Sequence, residues 1–122
     1  MWMGLAAFNN LVAVAVLIFV TVIDPGLAAA NTLRFAAQLQ LAHGMATVSC
    51  ATFMNIEAVA ARRAPAFFLG GGVPLSTVMY ICPECTDPIY RAGQLIAIFV
   101  VLTGWIVLAA STFGMGNNSK YQ

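Results

Sequence analysis

Apolar residues occur along this chain in four long blocks separated by short polar breaks. The first block is interrupted only by the Asn9-Asn10 pair near its start, and Asp24, Pro25 and Gly26 end it. A helix of roughly 20 mainly apolar residues crosses a bilayer, so the pattern predicts four membrane-spanning helices. We place them at about 5–23, 32–55, 66–81 and 92–113, and we expect residues 114–122 to form a polar, frayed tail.

The third block is shorter than the others and contains residues that disturb a helix. Gly70, Gly71 and Gly72 precede Pro74 at a depth that would lie within the membrane. Because proline removes a backbone donor and disrupts the preceding turn, we expect a short third helix that is kinked here. The glycines also favour close approach of a neighbouring helix.

The composition favours a membrane protein and excludes a soluble one. Of 122 residues, 61% are hydrophobic and 7% are charged, whereas soluble domains carry about 25% charged residues. The net charge of +1 provides no positive field for nucleic acid, so nucleic-acid binding is excluded as well. The predicted fold is an all-α, integral-membrane four-helix bundle that forms a single domain over 1–122.

The charged residues give a weak indication of orientation. With four crossings both termini lie on one side of the membrane, and the loops there carry Arg62, Arg63 and Lys120. The loops on the other side carry Arg34 and Arg91. Since basic residues are more frequent on the inner side, this small difference favours termini inside.

Cys82 and Cys85 form a single C-x-x-C pair in the polar loop between the third and fourth blocks. A structural zinc site needs four ligands, and Cys50 lies deep in the second block, where it cannot contribute. Local disulfide, free thiols, and a metal or redox role are the alternatives. The predicted orientation puts this loop on the outer face, where disulfides persist, and this favours the disulfide.

The second block is the least apolar, and at about 100° per residue its polar side chains fall on two opposite faces of a helix. Neither face suits contact with lipid. We therefore expect this helix to lie inside the bundle or against partner subunits. One face comprises Gln40, His43, Thr47 and Cys50, and the other comprises Arg34, Gln38, Ser49 and Thr52.

His43 is the only histidine of the chain, and an ionisable residue at membrane depth is a candidate functional residue. Three roles are open: a hydrogen-bonding contact between helices, an axial ligand to haem or chlorophyll, and a proton carrier. No second His, Asp or Glu lies within the blocks, which favours the first role. The blocks also contain no nucleophile–base pair, so we expect no enzymatic activity, no metal site and no cofactor other than lipid.

The remaining polar residues of the spans are interpreted as contacts between helices. Ser76 and Thr77 can satisfy backbone groups near Pro74, and the indole N–H of Trp105, too deep for an interfacial anchor, should find a protein partner. Tyr80 fits the aromatic belt at the membrane surface. The predicted packing residues are Gln38, Gln40, His43, Thr47, Ser76, Thr77 and Trp105.

Three stretches of the chain resemble a known family. They are the run from Arg34 to Ala46 that contains His43, the run from Phe68 to Tyr80, and the Gly104-Trp105 pair. Together they are similar to the transmembrane protein 256 family over roughly 34–110. The resemblance implies a small four-helix membrane protein of bacterial or mitochondrial type, and no biochemical activity is established for that family.

We therefore expect a non-catalytic accessory subunit, with a structural or assembly role, in a larger bioenergetic complex. The expected partners are other membrane subunits and lipids, and the expected location is the mitochondrial inner membrane, within a respiratory-chain complex or supercomplex. A thylakoid or bacterial inner membrane is the alternative location. The alternative functions are a haem- or chlorophyll-binding subunit that uses His43 and a small transporter or channel, indicated by a break at Gly70–Pro74.

Overall fold

Four α-helices make up the fold. A computed structural model of the chain describes residues 1–23, 29–55 and 62–118, with side chains described except at 53–55 and 112–118. A π-helical turn, Phe19–Ile23, continues the first helix, and no β-strand occurs in these ranges. The helices are α1 Trp2–Ile18, α2 Ala30–Asn55, α3 Ala64–Ile81 and α4 Pro88–Asn118.

The helices pack in chain order, α1 on α2, α2 on α3 and α3 on α4. Neighbours are antiparallel. Val20 in the turn after α1 faces Arg34 near the start of α2, while Asn9 faces Gln40. In the same way Ser76 of α3 reaches Ala36 of α2, while Gly72 adjoins His43. Within the described ranges α1 and α4 do not pack closely on each other. The arrangement is therefore a helical bundle with α2 and α3 at its centre and a helix on either side.

Three helical segments are long and apolar enough to cross a membrane: Trp2–Ile23, Ala64–Ile81 and Pro88–Ser111. The more polar α2 does not meet that standard within the described residues. It has 26 residues, corresponding to about 39 Å of helix, and it packs lengthwise between two of the spans. We infer that α2 crosses the membrane too, with its polar groups covered by its neighbours.

The helices extend further than the apolar pattern predicts. The first begins at Trp2 rather than near residue 5, and the last begins at Pro88 rather than near residue 92. The last helix also continues to Asn118, beyond the end near 113 that the apolar pattern predicts. Apolarity marks the part of a helix in the membrane, whereas backbone hydrogen bonding continues into the interface. Asp24, Glu57 and Lys120 lie outside the described residues.

Prolines define the helix starts beside the described loops. Pro65 occupies the first turn of α3, and Pro88 opens α4, where a missing N–H costs nothing. Cys82 leaves the helical conformation at the end of α3, and its N–H bonds to the carbonyl of Val78. Pro83, which follows, cannot continue the helix.

Small and polar side chains fill the interior, while large apolar side chains face outward. Buried positions include Ala6 and Ala13 of α1 and Ala36 and Ala37 of α2, whereas Phe99 and many other large side chains are exposed. This distribution is the reverse of a soluble core. It is typical of membrane helices, which associate through close packing because lipid already solvates apolar groups.

Pro74 lies inside α3, which the structure describes as one helix from Ala64 to Ile81. The hydroxyl of Ser76 donates to the Gly72 carbonyl, and that of Thr77 donates to the Val73 carbonyl. The carbonyl left without an N–H partner by Pro74 belongs to Gly70, four residues earlier, so neither hydroxyl acts as expected. The helix break on which the transporter alternative depends is not present in α3.

Gly71 allows α3 and α4 to touch. A Cβ at this position would lie 2.8 Å from the Ala97 carbonyl oxygen, whereas a Cβ at the adjacent Gly70 would meet nothing within 4 Å. We predict that Gly71→Ala lowers the free energy of unfolding by about 1–3 kcal/mol, because backbone must move. Gly70→Ala should be neutral or stabilising by up to about 1 kcal/mol. Reversible unfolding in mixed micelles measures both, and equal effects of the two substitutions would contradict the α3–α4 contact.

Candidate functional site

A buried polar network joins α1, α2 and α3. The Asn9 amide donates to the Gln40 backbone carbonyl at 3.1 Å. In return the Gln40 amide donates to the Asn9 carbonyl at 3.1 Å and to Asn9 Oδ1 at 2.8 Å. The Tyr80 hydroxyl donates to Gln40 Oε1 at 2.5 Å. Both the donor and the acceptor end of the Gln40 amide are therefore satisfied by neighbouring helices.

The network contains two residues that the sequence did not identify as packing residues, Asn9 and Tyr80. In the sequence, Asn9 is noticeable only because it interrupts the first apolar block, and Tyr80 is predicted to lie in the aromatic belt at the membrane surface. The sequence does contain a signal for Asn9, because an amide within an apolar span needs a hydrogen-bond partner and therefore indicates a helix contact. The pairing with Tyr80 depends on how α3 is aligned with α2, which no local pattern encodes.

Asn10 behaves differently from its neighbour. Its Oδ1 is buried without a hydrogen-bond partner among the described residues, and it lies against Gly44 of α2. A buried acceptor without a donor destabilises a fold. The two adjacent asparagines thus form a natural pair for comparison, one satisfied and one not.

His43 lies at the meeting point of α2, α3 and α4. It is 6% exposed, and its Nδ1 is 2.6 Å from the Leu39 carbonyl oxygen of its own helix. A Cβ placed on Gly72 would lie 3.2 Å from the His43 Cβ, so the glycine lets α3 approach the histidine. The imidazole centroid is 6.1 Å from the ring of Phe68 and 6.5 Å from that of Trp105.

A cavity of about 390 Å³ adjoins His43. Three helices line it. Phe35, Leu39 and His43 belong to α2, and Leu75 and Met79 belong to α3. One face of α4, between Gln94 and Trp105, completes the lining. A second cavity of about 370 Å³ lies between α1 and α3, beside Asn9 and Tyr80. The two cavities occupy the grooves that the side-by-side order of the helices leaves on either side of the α2–α3 pair.

The structure divides the other predicted packing residues into two groups. Thr47 and Ser76 are buried: Thr47 donates to the His43 carbonyl of its own helix, and Ser76 also reaches the Ala36 carbonyl of α2 at 3.4 Å. Gln38 and Thr77 are exposed instead. Their packing role is therefore not present within the single chain.

Trp105 makes its contacts through its ring. Its centroid is 4.9 Å from that of Phe68 in an edge-to-face arrangement, and the residue is 42% exposed. Contrary to expectation, no described residue hydrogen-bonds its indole N–H. The side chain thus supports the wall of the His43 cavity by aromatic packing rather than by polar contact.

The two polar faces of α2 have different surroundings. Gln40, His43, Thr47 and Cys50 are all buried, while Gln38, Ser49 and Thr52 on the opposite face are exposed. Arg34, near the membrane surface, donates to the Val20 carbonyl in the π-helical turn at 2.8 Å and to Asn31. The structure thus places one polar face inside the bundle and the other outside it.

Cys82 and Cys85 are joined by a disulfide, with their Cα atoms 5.3 Å apart. The Cys85 N–H also bonds to the Cys82 carbonyl, which closes the turn between α3 and α4. Cys50 is a buried free thiol. Within the described residues no three His, Cys, Asp or Glu side chains lie together as a metal site would require.

Comparison with protein-family models, curated proteins and solved structures gives no match to this chain. The candidate site must therefore be interpreted from its own geometry. That geometry provides a satisfied amide–phenol network and a histidine beside a lipid-facing cavity. Met79, the other side chain of the cavity able to ligate a haem, lies about 10 Å along α3 from Gly72 and hence from the level of His43. The backbones of the two residues are thus offset along the bundle, while both side chains line the same cavity.

The asparagine pair tests the network. We predict that Asn9→Ala lowers the free energy of unfolding by about 1–3 kcal/mol, since it removes the Oδ1 that accepts from the Gln40 amide and the N–H that donates to the buried Gln40 backbone carbonyl. Asn10→Ala removes an acceptor that has no partner and should cost less than about 1 kcal/mol. Unfolding of both variants in the same micelles provides the comparison. A larger loss for Asn10→Ala would show that the network does not hold α1 to α2.

Thiol labelling tests the loop. In the folded protein a maleimide should label no cysteine until a reductant opens the Cys82–Cys85 bond, after which it should label these two partly exposed residues. Cys50 should react only after unfolding, and Cys50→Ala should leave the folded-state pattern unchanged. Mass spectrometry counts the adducts. Labelling of Cys82 or Cys85 before reduction would favour free thiols.

Proposed function

We propose that this protein is a non-catalytic accessory subunit of a larger membrane complex, with a structural or assembly role. The observation that carries the proposal is the exposed polar face of α2. Gln38 is exposed, and no described residue hydrogen-bonds its amide. An amide that faces hydrocarbon without a partner is costly, so this face needs another protein.

The depth of Gln38 makes the argument specific. α2 extends from Ala30 to Asn55, so its midpoint is near His43. Gln38 lies five positions before His43, which places it about 8 Å from the midplane. The hydrocarbon core extends about 15 Å on each side of the midplane. Gln38 therefore lies too deep for water to satisfy its amide.

The hydroxyls on the same face are satisfied more easily. Ser49 donates to the Met45 carbonyl of its own helix, which is the usual way a hydroxyl is accommodated in a membrane helix. A glutamine amide offers two N–H donors and a carbonyl. It is consequently the residue of this face that gains most from a partner helix.

The larger assembly that we favour is a respiratory-chain complex or supercomplex of the mitochondrial inner membrane. The resemblance to the transmembrane protein 256 family, carried by His43, the Phe68–Tyr80 run and Gly104-Trp105, supports a mitochondrial or bacterial membrane. The need of the Gln38 face for a partner helix supports a place in a larger complex. The partners are other membrane subunits. Lipid fills the remaining surface, which is rich in large apolar side chains.

Native electrophoresis of membranes solubilised in mild detergent tests the proposal. The chain should migrate with a complex much larger than its 12.9 kDa, and mass spectrometry of that band should identify its companions. The substitution Gln38→Leu should release the chain from the complex, because it removes the amide that the partner satisfies. Migration of the unsubstituted chain solely as a monomer would contradict the proposal.

Matched variants separate assembly from folding. Thr52→Val alters the same face of α2, and Thr103→Val makes the same change on α4, where the exposed hydroxyl bonds within its own helix. Gln38→Leu should leave the unfolding free energy of the isolated chain within about 0.5 kcal/mol of its original value. Thr52→Val should weaken assembly more than Thr103→Val does. Equal effects on assembly would argue against the Gln38 face as the interface.

A further inference from the structure

The cavity beside His43 contains one polar group that the fold does not use. His43 is only 6% exposed, and its ring hydrogen-bonds to the fold through Nδ1. No described residue bonds Nε2. Because Nδ1 is held against the backbone of α2, the far edge of the ring, which carries Nε2, is the part left to line the cavity.

The hydrogen bond at Nδ1 fixes what Nε2 can do. The Leu39 carbonyl oxygen can only accept, so Nδ1 must carry the proton. In a neutral imidazole Nε2 is then an acceptor. The cavity therefore offers a hydrogen-bond acceptor to a ligand that carries a donor.

The position of this acceptor in the bilayer restricts the ligand further. His43 lies near the middle of α2, and it faces Gly72 near the middle of α3. The acceptor is thus close to the membrane midplane. Charged or zwitterionic headgroups remain at the interface, and so does the hydroxyl of a sterol, so none of these supplies the donor at this depth.

The shape of the cavity indicates which ligand shape it can hold. At the His43 end the ring of Trp105, packed edge-to-face on Phe68, provides an aromatic wall. From there the lining continues along α2 through Leu39 to Phe35, a distance of about 12 Å. The volume of about 390 Å³ lies within the range of small-molecule sites. A planar head beside His43 and an apolar chain along the groove fit this outline.

We propose that the groove between α2 and α4 binds a lipid-soluble quinol, an uncharged aromatic ring with hydroxyl groups and an apolar chain. One ring hydroxyl donates to Nε2 of His43, the ring packs against Trp105, and the chain follows the groove toward Phe35. The oxidised quinone has carbonyl acceptors in place of hydroxyl donors, so Nε2 favours the reduced form. This site is independent of the subunit role proposed above, because it lies within the single chain.

Binding to the purified full-length protein in lipid nanodiscs tests the proposal. In a Trp2→Phe background the remaining fluorescence comes from Trp105, which lines the groove. Decylubiquinol and its oxidised form, decylubiquinone, are the probes. Saturable quenching should show the reduced form binding about fivefold more tightly, as expected for one additional hydrogen bond. Absence of saturation, or equal or tighter binding of the oxidised form, would overturn the proposal.

Three variants locate the site. His43→Leu should abolish the preference for the reduced probe. Leu102→Phe, which adds bulk to the half-exposed wall of the groove, should weaken both probes at least tenfold. Val73→Phe makes a similar change in the second cavity and should leave binding unchanged. A preference that survives in His43→Leu, or equal effects of Leu102→Phe and Val73→Phe, would refute this site.

Two further measurements cover folding and the haem or chlorophyll alternative. Circular dichroism should show full helicity for Leu102→Phe and Val73→Phe. Comparing probe binding between these two variants therefore still tests the site if His43→Leu fails to fold. The purified chain should lack a visible absorption band. A haem or chlorophyll band that Leu102→Phe leaves intact and His43→Leu removes would assign Nε2 to a metal and overturn the quinol proposal.

Discussion

The fold depends on pairing the polar groups of α2 within a medium that cannot hydrogen-bond. Gln40 illustrates the constraint, because its side-chain amide and its backbone carbonyl bond to Asn9, and its side-chain carbonyl accepts from Tyr80. In water these bonds would replace others of similar strength, but in hydrocarbon the alternative is an unsatisfied amide. This requirement puts a helix on each side of α2 and explains why the least apolar helix lies at the centre. It also explains the small interior side chains, such as Ala36 and Ala37, because short hydrogen bonds require backbones to approach closely.

The same arrangement leaves surfaces that a closed bundle would hide. Since α1 packs on α2 and α4 packs on α3, a groove remains on either side of the central pair. The groove toward α4 exposes one edge of the His43 ring, while the Gln38 face points away from the chain altogether. Both features follow from a helix that carries more polar groups than two neighbours can cover.

The sequence predicts much of this fold, and the limits of that prediction are physical. Apolar block length predicts the four helices, and the 100° periodicity correctly groups Gln40, His43 and Thr47 on one face. It cannot say which of the two polar faces of α2 turns inward, because both have comparable polarity. That choice depends on Asn9 and Tyr80, whose alignment with α2 is set by packing of whole helices. The apolar pattern predicts α4 too short at both ends, because helical hydrogen bonding continues beyond the apolar residues.

The angular separation of the two outward features bears on whether they can act together. Gln38 and His43 are five positions apart, which is about 140° around α2. A partner helix that covers the Gln38 amide therefore approaches from a different side than a ligand entering the His43 groove. The groove opens between Phe35 and Leu102, both about half exposed. Phe35 is three positions from Gln38, about 60° around α2, so the partner helix would adjoin this border of the groove, whereas Leu102 belongs to α4. Docking into a complex would consequently narrow the groove at Phe35 while leaving the midplane end beside His43 and Leu102 open, so assembly and occupancy of the groove are coupled at the Phe35 border.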